Sequence, residues 1–246
     1  MNPWLLVIPT YNEAENLPPL LKALFALPKQ GFPPVHVLVV DDNSPDGTGQ
    51  LAERLRERYP GLYVLHRPGK QGLGRAYVAG FHWAFERGYP VIGQMDADFS
   101  HEPRYLPAMA RALEKADLVI GSRYVPGGGV DRHWAWYRKA LSAWGNFYAR
   151  TILSLPVRDV TGGYRLWRAS LLRRLPWDRI DAQGYAFQIE TLYTAYRLGA
   201  RVREVPIYFP DRRQGRSKLS LAVQLEAAWR VWWMRWLYRD LHPPLP

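Results

Sequence analysis

The chain is expected to be an α/β protein, with a mostly parallel sheet flanked by helices on both faces. Three observations predict this. Short apolar runs bounded by turn residues alternate with helical patterns through the first half of the chain. The runs are rich in β-branched residues and nearly unbroken, which suits strands covered on both faces. Polar, acidic clusters follow three of the runs, at the carboxyl ends of the expected strands, where open α/β sheets bind ligands.

The elements follow in order. Residues 4–8 (WLLVI) read as the first strand, with PTYNE (9–13) after it. Asn12 and Glu15 have the spacing of a capping box opening a helix over 13–27. VHVLVV (35–40) reads as the second strand, ends in DDNSPDG (41–47), and leads into a helix over 47–59. LYVLH (62–66) precedes a helix over 73–87, and VIGQM (91–95) runs into Asp96-Ala97-Asp98 and a helix over 103–115. DLVIG (117–121) is the fifth strand. GGG (127–129) is expected as a mobile loop, followed by a long helix near 132–154 and a turn at Pro156. TGGYRLWR (161–168) and VREVPIYFPDRRQGRSKL (202–219) read as rim elements of a site or an edge strand. Residues 1–219 carry the α/β pattern, and 220–246 form a Trp/Arg-rich helix and a Pro-rich tail.

Composition narrows the function classes. Of 246 residues, 48% are apolar, enough for a full core. The absence of cysteine excludes disulfides and thiol chemistry and suits a reducing compartment. No signal peptide is legible, and no apolar stretch is long enough to span a bilayer. The net charge of +11 points to an anionic partner: nucleic acid, anionic lipid or a phosphate-bearing substrate.

Asp96 and Asp98 stand one residue apart just past a strand, where a bend brings both carboxylates toward one point. Their repulsion calls for a divalent cation, and oxygen ligands of this kind suit Mg²⁺ or Mn²⁺ shared with substrate phosphates. Phosphates also need cations. Arg123 follows a strand, Arg138 lies in WYRKALS, and Arg212, Arg213, Arg216 and Lys218 crowd into DRRQGRSKL. The same clusters also serve as turns, caps and solvated loops, since Asp, Asn, Pro and Gly are standard turn residues. KQGLGRAYVAG (70–80) fails as a dinucleotide fingerprint, because Tyr77 stands where the third Gly or Ala belongs.

Taken together, PTYNE, VVDDNSPDGT, GLGRAY, MDADFSHEP, GSRY, RKALS, DVTGGYRLW, GYAFQIE, VPIYF and DRRQGRSKL resemble glycosyltransferase family 2, of GT-A (Rossmann-like) fold. More narrowly they resemble the catalytic domain of dolichyl-phosphate (polyprenyl-phosphate) mannose synthases. The resemblance implies that Pro9, Tyr11, Glu13, Val40 and Asp42 hold the nucleotide, while Asp96, Ala97 and Asp98 bind the metal and the donor diphosphate. It implies that Arg123, Arg212 and Lys218 contact phosphates of donor or acceptor, with Arg138 near the acceptor phosphate. Some relatives carry Gln as a third metal ligand where this chain has Ser100, whose place water can take. The usual DDGS is DDNS, with Asn43 accepting the positive φ that Gly would adopt. The implied reaction is a single in-line displacement. A polyprenyl phosphate oxygen attacks the anomeric carbon of GDP-mannose with inversion, and the acceptor is already anionic, so no strong base is needed.

A lipid acceptor demands access to a bilayer. On a helix, Trp229, Trp232, Trp233 and Trp236 share one face, flanked by Glu226 and Arg230 on one side and Arg235 and Arg239 on the other. Such a stripe suits a membrane surface, and it equally suits docking on the chain's own core or a dimer interface. The expected setting is the cytoplasmic face of a membrane, peripherally bound, with a membrane-anchoring protein as a further candidate partner. Three rival readings stay open: a family 2 transferase using another donor such as UDP-glucose, a nucleic-acid-binding protein, and a non-catalytic nucleotide-sugar sensor. Three acidic strand ends in one crevice argue against nucleic acid.

Overall fold

A computed structural model describes residues 2–30, 32–182, 184–210 and 221–242. Its centre is a seven-stranded sheet of order β3-β2-β1-β4-β7-β5-β8. β1 (Trp4–Thr10), β2 (Val35–Asp41), β3 (Leu62–His66) and β4 (Val91–Gln94) form a parallel half. β5 (Leu118–Ser122) and β8 (Val202–Pro206) pair parallel to each other. Between the halves runs β7 (Arg165–Arg168), antiparallel to both β4 and β5. β6 (Gly129–Val130) and β9 (Tyr208–Phe209) make a separate two-stranded ribbon.

The unbroken apolar runs are explained by coverage on both faces. Alternate residues of one strand feed opposite cores. Leu6, Ile8, Val37 and Val39 pack with α1 (Leu17–Phe25), α2 (Thr48–Arg56) and α4 (Leu106–Leu113). Leu5, Val7, Leu38 and Val40 pack with α3 (Leu73–Glu86), α5 (Trp136–Ile152), α6 (Ala169–Leu172), α7 (Gly184–Arg197) and α8 (Leu221–Leu237). α3 lies close on β1 because position 80 is glycine, where a Cβ would come within 2.4 Å of Val7 Cγ1.

Three expectations change. TGGYRLWR is neither rim nor edge, because its last four residues are the central antiparallel strand. Burial of Arg165 there is sustained by three acceptors: Gly162 O at 2.8 Å, Thr191 Oγ1 at 3.0 Å and Val160 O at 3.3 Å. Asn12 and Glu15 do not cap a helix, since α1 begins at Leu17 with prolines in its first turn. The Asn12 amide donates instead to Ser44 Oγ at 3.1 Å. The 127–129 glycines fold back on the sheet rather than forming a loose loop. Gly127 takes φ +87°, and a Cβ at Gly128 would meet Ser122 O at 2.6 Å. Of the readings open for the Trp stripe of α8, docking on the chain's own core is removed, because Val231, Met234 and Tyr238 are the buried face and the four tryptophans are exposed.

Candidate active site at the carboxyl edge of the sheet

Strand order reverses between β1 and β4, with β2 and β3 on one side and the β7-β5-β8 group on the other. That reversal opens a crevice beyond the strand ends, and it brings together the 9–13, 41–47 and 96–98 segments.

The β1 and β2 ends are stitched to each other. Thr10 Oγ1 donates to Asp41 Oδ1 at 3.0 Å, and the Asp42 amide donates to Thr10 O at 3.1 Å. The Ser44 amide and hydroxyl reach Asp41 at 3.0 and 2.5 Å. Asp46 accepts from the Thr48 amide at 3.0 Å and from the Ala14 amide at 3.1 Å. Asp41 and Asp46 therefore serve the turn. Asn43 sits at φ +57°, as its replacement of Gly requires. Asp42 is different: it pairs with the Arg67 guanidinium at 2.5 Å, with both side chains nearly buried. Arg67 also reaches Gln71 at 2.9 Å and lines a cleft of about 340 Å³ with Gln71, Gly74, Arg75, Ala182 and Phe187. Val40 is buried beneath the crevice, whereas Tyr11 is exposed with Lys70 Nζ 4.0 Å above its ring. Pro9 and Glu13 are half-buried, and the Glu13 amide is held by Thr48 Oγ1 at 2.9 Å.

Beyond β4 the chain turns sharply, with Phe99 at φ +61°. Ala97 is buried beneath the turn. Asp98 Oδ1 accepts from the Ser100 amide at 3.0 Å and its hydroxyl at 2.5 Å. Ser100 is thus turned onto Asp98. Asp96, with its side chain 30% exposed, accepts at Oδ1 from the Tyr77 hydroxyl at 3.2 Å. Burial and the neighbouring Asp96 charge hold the Tyr77 hydroxyl well above the usual tyrosine range, so it stays a donor. The Asp96 amide donates to His101 Nδ1 at 2.9 Å, which makes that nitrogen the acceptor of a neutral ring. His101 is buried and stacked on Tyr164, with ring centroids 4.9 Å apart. Sequence reading missed Tyr77 and Arg67 as supports, since partners 19 and 25 residues away leave no periodic signal, and it missed His101 because the five-residue return to the Asp96 amide depends on the Phe99 turn.

The cations are distributed unevenly. Arg123 is buried and directs Nε and Nη2 at Asp159, at 2.8 and 2.7 Å, and Nη2 also at Thr161 Oγ1 at 2.7 Å. Burial pushes the Asp159 carboxyl up, but Arg123 outweighs it and holds the group below the usual carboxylate range. Around this pair, Glu204 accepts from the Arg158 and Asp159 amides, each at 2.9 Å. Asn146 of α5 accepts from the Val160 amide at 2.9 Å and the Thr161 amide at 3.2 Å. Arg138 stacks over Trp134 at 3.7 Å, at the start of α5. Arg212, Arg213, Arg216 and Lys218 lie outside the described residues.

The arrangement offers hard oxygen donors at one end of a crevice and a buffered carboxylate, Asp42, at the other. Residues 5–175 match the model of the family described as glycosyl transferase family 2. The chain is 48% identical over 232 residues to the undecaprenyl-phosphate mannosyltransferase of Micrococcus luteus, covering 94% of this chain and 93% of that protein. It is 47% identical over 229 residues to the polyprenol monophosphomannose synthase of Mycolicibacterium smegmatis, covering 92% and 84%. Among solved structures, mannosyl-3-phosphoglycerate synthase from Rubrobacter xylanophilus matches with TM-score 0.69 at 18% identity, over 99% of this chain and 77% of that one. Glucosyl-3-phosphoglycerate synthase from Mycobacterium tuberculosis, in complex with Mn²⁺, UDP and its glucosylated product, matches with TM-score 0.64 at 18% identity, over 99% and 81%. At such identity these two share the fold, a GT-A type mostly parallel sheet between helices. With the family model spanning residues 5–175 and nearly half of all positions shared with two mannosyl-transferring relatives, the chain belongs to glycosyl transferase family 2.

Proposed function

We propose that the protein transfers mannose from GDP-mannose to a polyprenyl phosphate, with inversion, giving polyprenyl-phosphate mannose. The observation that carries this is the identity of 47–48% with two polyprenyl-phosphate mannose enzymes over more than nine-tenths of the chain. In this reading Tyr11, Glu13 and Asp42, with Pro9 and Val40 beneath, hold the nucleoside. Arg138, Arg212 and Lys218 hold phosphates. A phosphate would meet Arg123 through Nη1, since Nε and Nη2 serve Asp159.

The donor set fits Mg²⁺ or Mn²⁺. Asp96 and Asp98 are hard oxygen ligands, and no group of three or more His, Cys, Asp or Glu among the described residues closes a cage, so the substrate diphosphate and water must complete the site. Such an ion, when bound, offsets the charge that grows on the departing diphosphate. The chain's own part is positioning. The Ser100 hydroxyl and amide fix Asp98, and Tyr77 and His101 fix Asp96. The acceptor oxygen is already anionic, so no residue need remove a proton. We place the chain peripherally at the cytoplasmic face of a membrane, reached through the α8 tryptophans or with an anchoring protein.

The test is transfer of radiolabelled mannose from GDP-mannose to a short polyprenyl phosphate, with Mn²⁺ or Mg²⁺ and with chelator. Metal-dependent lipid-linked mannose is the expected result. Lipid-linked glucose from UDP-glucose, with none from GDP-mannose, would overturn the donor assignment.

A further inference from the structure

KQGLGRAYVAG fails as a dinucleotide fingerprint, yet the fold gives its first residues a place in the crevice. Residues 67–71 (RPGKQ) join β3 to α3 and lie back across the ends of β1 and β2. The Arg67 amide donates to Asp41 O at 2.8 Å, and Asn43 Nδ2 donates to Pro68 O at 3.4 Å. Arg67 holds Asp42 through Nη1 and Gln71 Oε1 through Nη2, and the Gln71 amide donates to Asp42 as well. One buried carboxylate thus fastens the segment at both ends. Beyond it, Gly72 takes φ +99°, which lets the chain turn straight into α3. Gly74 seats that first turn, since a Cβ there would meet Ala182 O at 2.9 Å.

The clasped segment carries Lys70 over Tyr11, with Nζ 4.0 Å from the ring centroid. Lys70 is exposed and pairs with no carboxylate among the described residues. A cation–π contact at so open a place is weak, and the four-carbon stem swings readily. A planar base stacked on Tyr11 takes the ring face and moves the ammonium to the edge of the base. What that edge offers then matters, because an ammonium only donates. Guanine presents O6 and N7, two adjoining acceptors. Adenine replaces the first with an amino donor, and uracil has the single acceptor O4 beside a C–H.

We infer that Lys70 is a specificity-determining residue for the donor nucleotide, giving its protons to the O6 and N7 edge of a guanine stacked on Tyr11. The Asp42 clasp keeps it within reach. Its place over an aromatic plane favours the base over the diphosphate as its target. The inference rests on the proposed nucleoside site of Tyr11 and Asp42, and deepens it by naming the side chain that selects the base.

Lys70→Met tests this, since it keeps the stem and removes the charge. Lys70 is exposed, so the fold is expected to persist, and an unchanged melting temperature checks that. Affinities of the full chain for GDP, 7-deaza-GDP, ADP and UDP are measured by calorimetry with Mn²⁺. The wild type is expected to bind GDP at least about tenfold more tightly than ADP or UDP, and several-fold more tightly than 7-deaza-GDP. The variant is expected to lose about tenfold for GDP, to keep ADP and UDP within about twofold, and to bind GDP and 7-deaza-GDP alike. An equal loss for all four nucleotides would move Lys70 to the phosphates and overturn its reading of the base. A variant that keeps the wild-type preference for GDP overturns the inference and leaves the proposed donor standing. A wild type that binds UDP more tightly than GDP overturns the donor assignment itself.

Discussion

Asp98 and Ser100 show how a two-residue interval is made useful. The Phe99 turn lets one serine give both its amide and its hydroxyl to a single carboxylate oxygen. Under the proposed chemistry, Asp98→Ala lowers transfer by at least about a hundredfold with an unchanged circular dichroism spectrum. Near-normal turnover would remove Asp98 from the metal site. Ser100→Ala keeps the carboxylate but frees its rotamer, and raises the Mn²⁺ concentration for half-maximal activity about tenfold. Asp159 makes the opposite use of a carboxylate, as a buried partner for Arg123. Asp159→Asn leaves the guanidinium buried without its counter-charge and costs about 3–5 kcal/mol in denaturant unfolding. Because the folded carboxyl lies below its unfolded value of 3.8, its contribution is full above that pH and lost as pH falls through the folded value. The stability gap between wild type and variant therefore closes on acidification, and a gap independent of pH would contradict the ion-pair account.

At the scale of elements, α3 and α5 are placed by what their contact faces lack or offer. Gly80 is a poor helix residue, and alanine there would favour an isolated helix by about 1 kcal/mol. Its Cβ would nevertheless stand 2.4 Å from Val7 Cγ1. Gly80→Ala is expected to destabilise by about 1–3 kcal/mol, as overpacking outweighs propensity. A raised melting temperature would refute the close α3–β1 contact. α5 is held by polar groups instead. Asn146 satisfies two amides of the 160–161 segment, while Trp136, Tyr137, Trp144 and Phe147 of the same helix are exposed.

For the whole molecule, an excess of eleven positive charges and the exposed tryptophans of α8 act together under the proposed membrane association. The charge term is screened over about 8–10 Å at physiological ionic strength, and the aromatic term is not. Binding to anionic vesicles should therefore weaken as salt rises from low to molar concentration, yet keep a salt-resistant remainder. Cosedimentation across a salt series measures both. Complete loss at high salt would mean that the tryptophans do not insert.

Much of this was legible in the chain itself. Period and composition determined β1 to β5 and the helices between them, because residues that alternate between two covered faces must all be apolar. The carboxylate pair and the family resemblance followed from local motifs. Tertiary structure alone decided the rest. β7 is a four-residue strand, RLWR, whose two arginines hide it from any apolar pattern, and only distant carbonyls and Thr191 make Arg165 tolerable inside. Likewise, the sequence shows Arg123 only as a cation after a strand, and the fold alone brings Asp159, thirty-six residues away, against its Nε and Nη2. The outward aromatic face of α5 was equally invisible, since a sequence shows which residues share a helix face but not which way that face points.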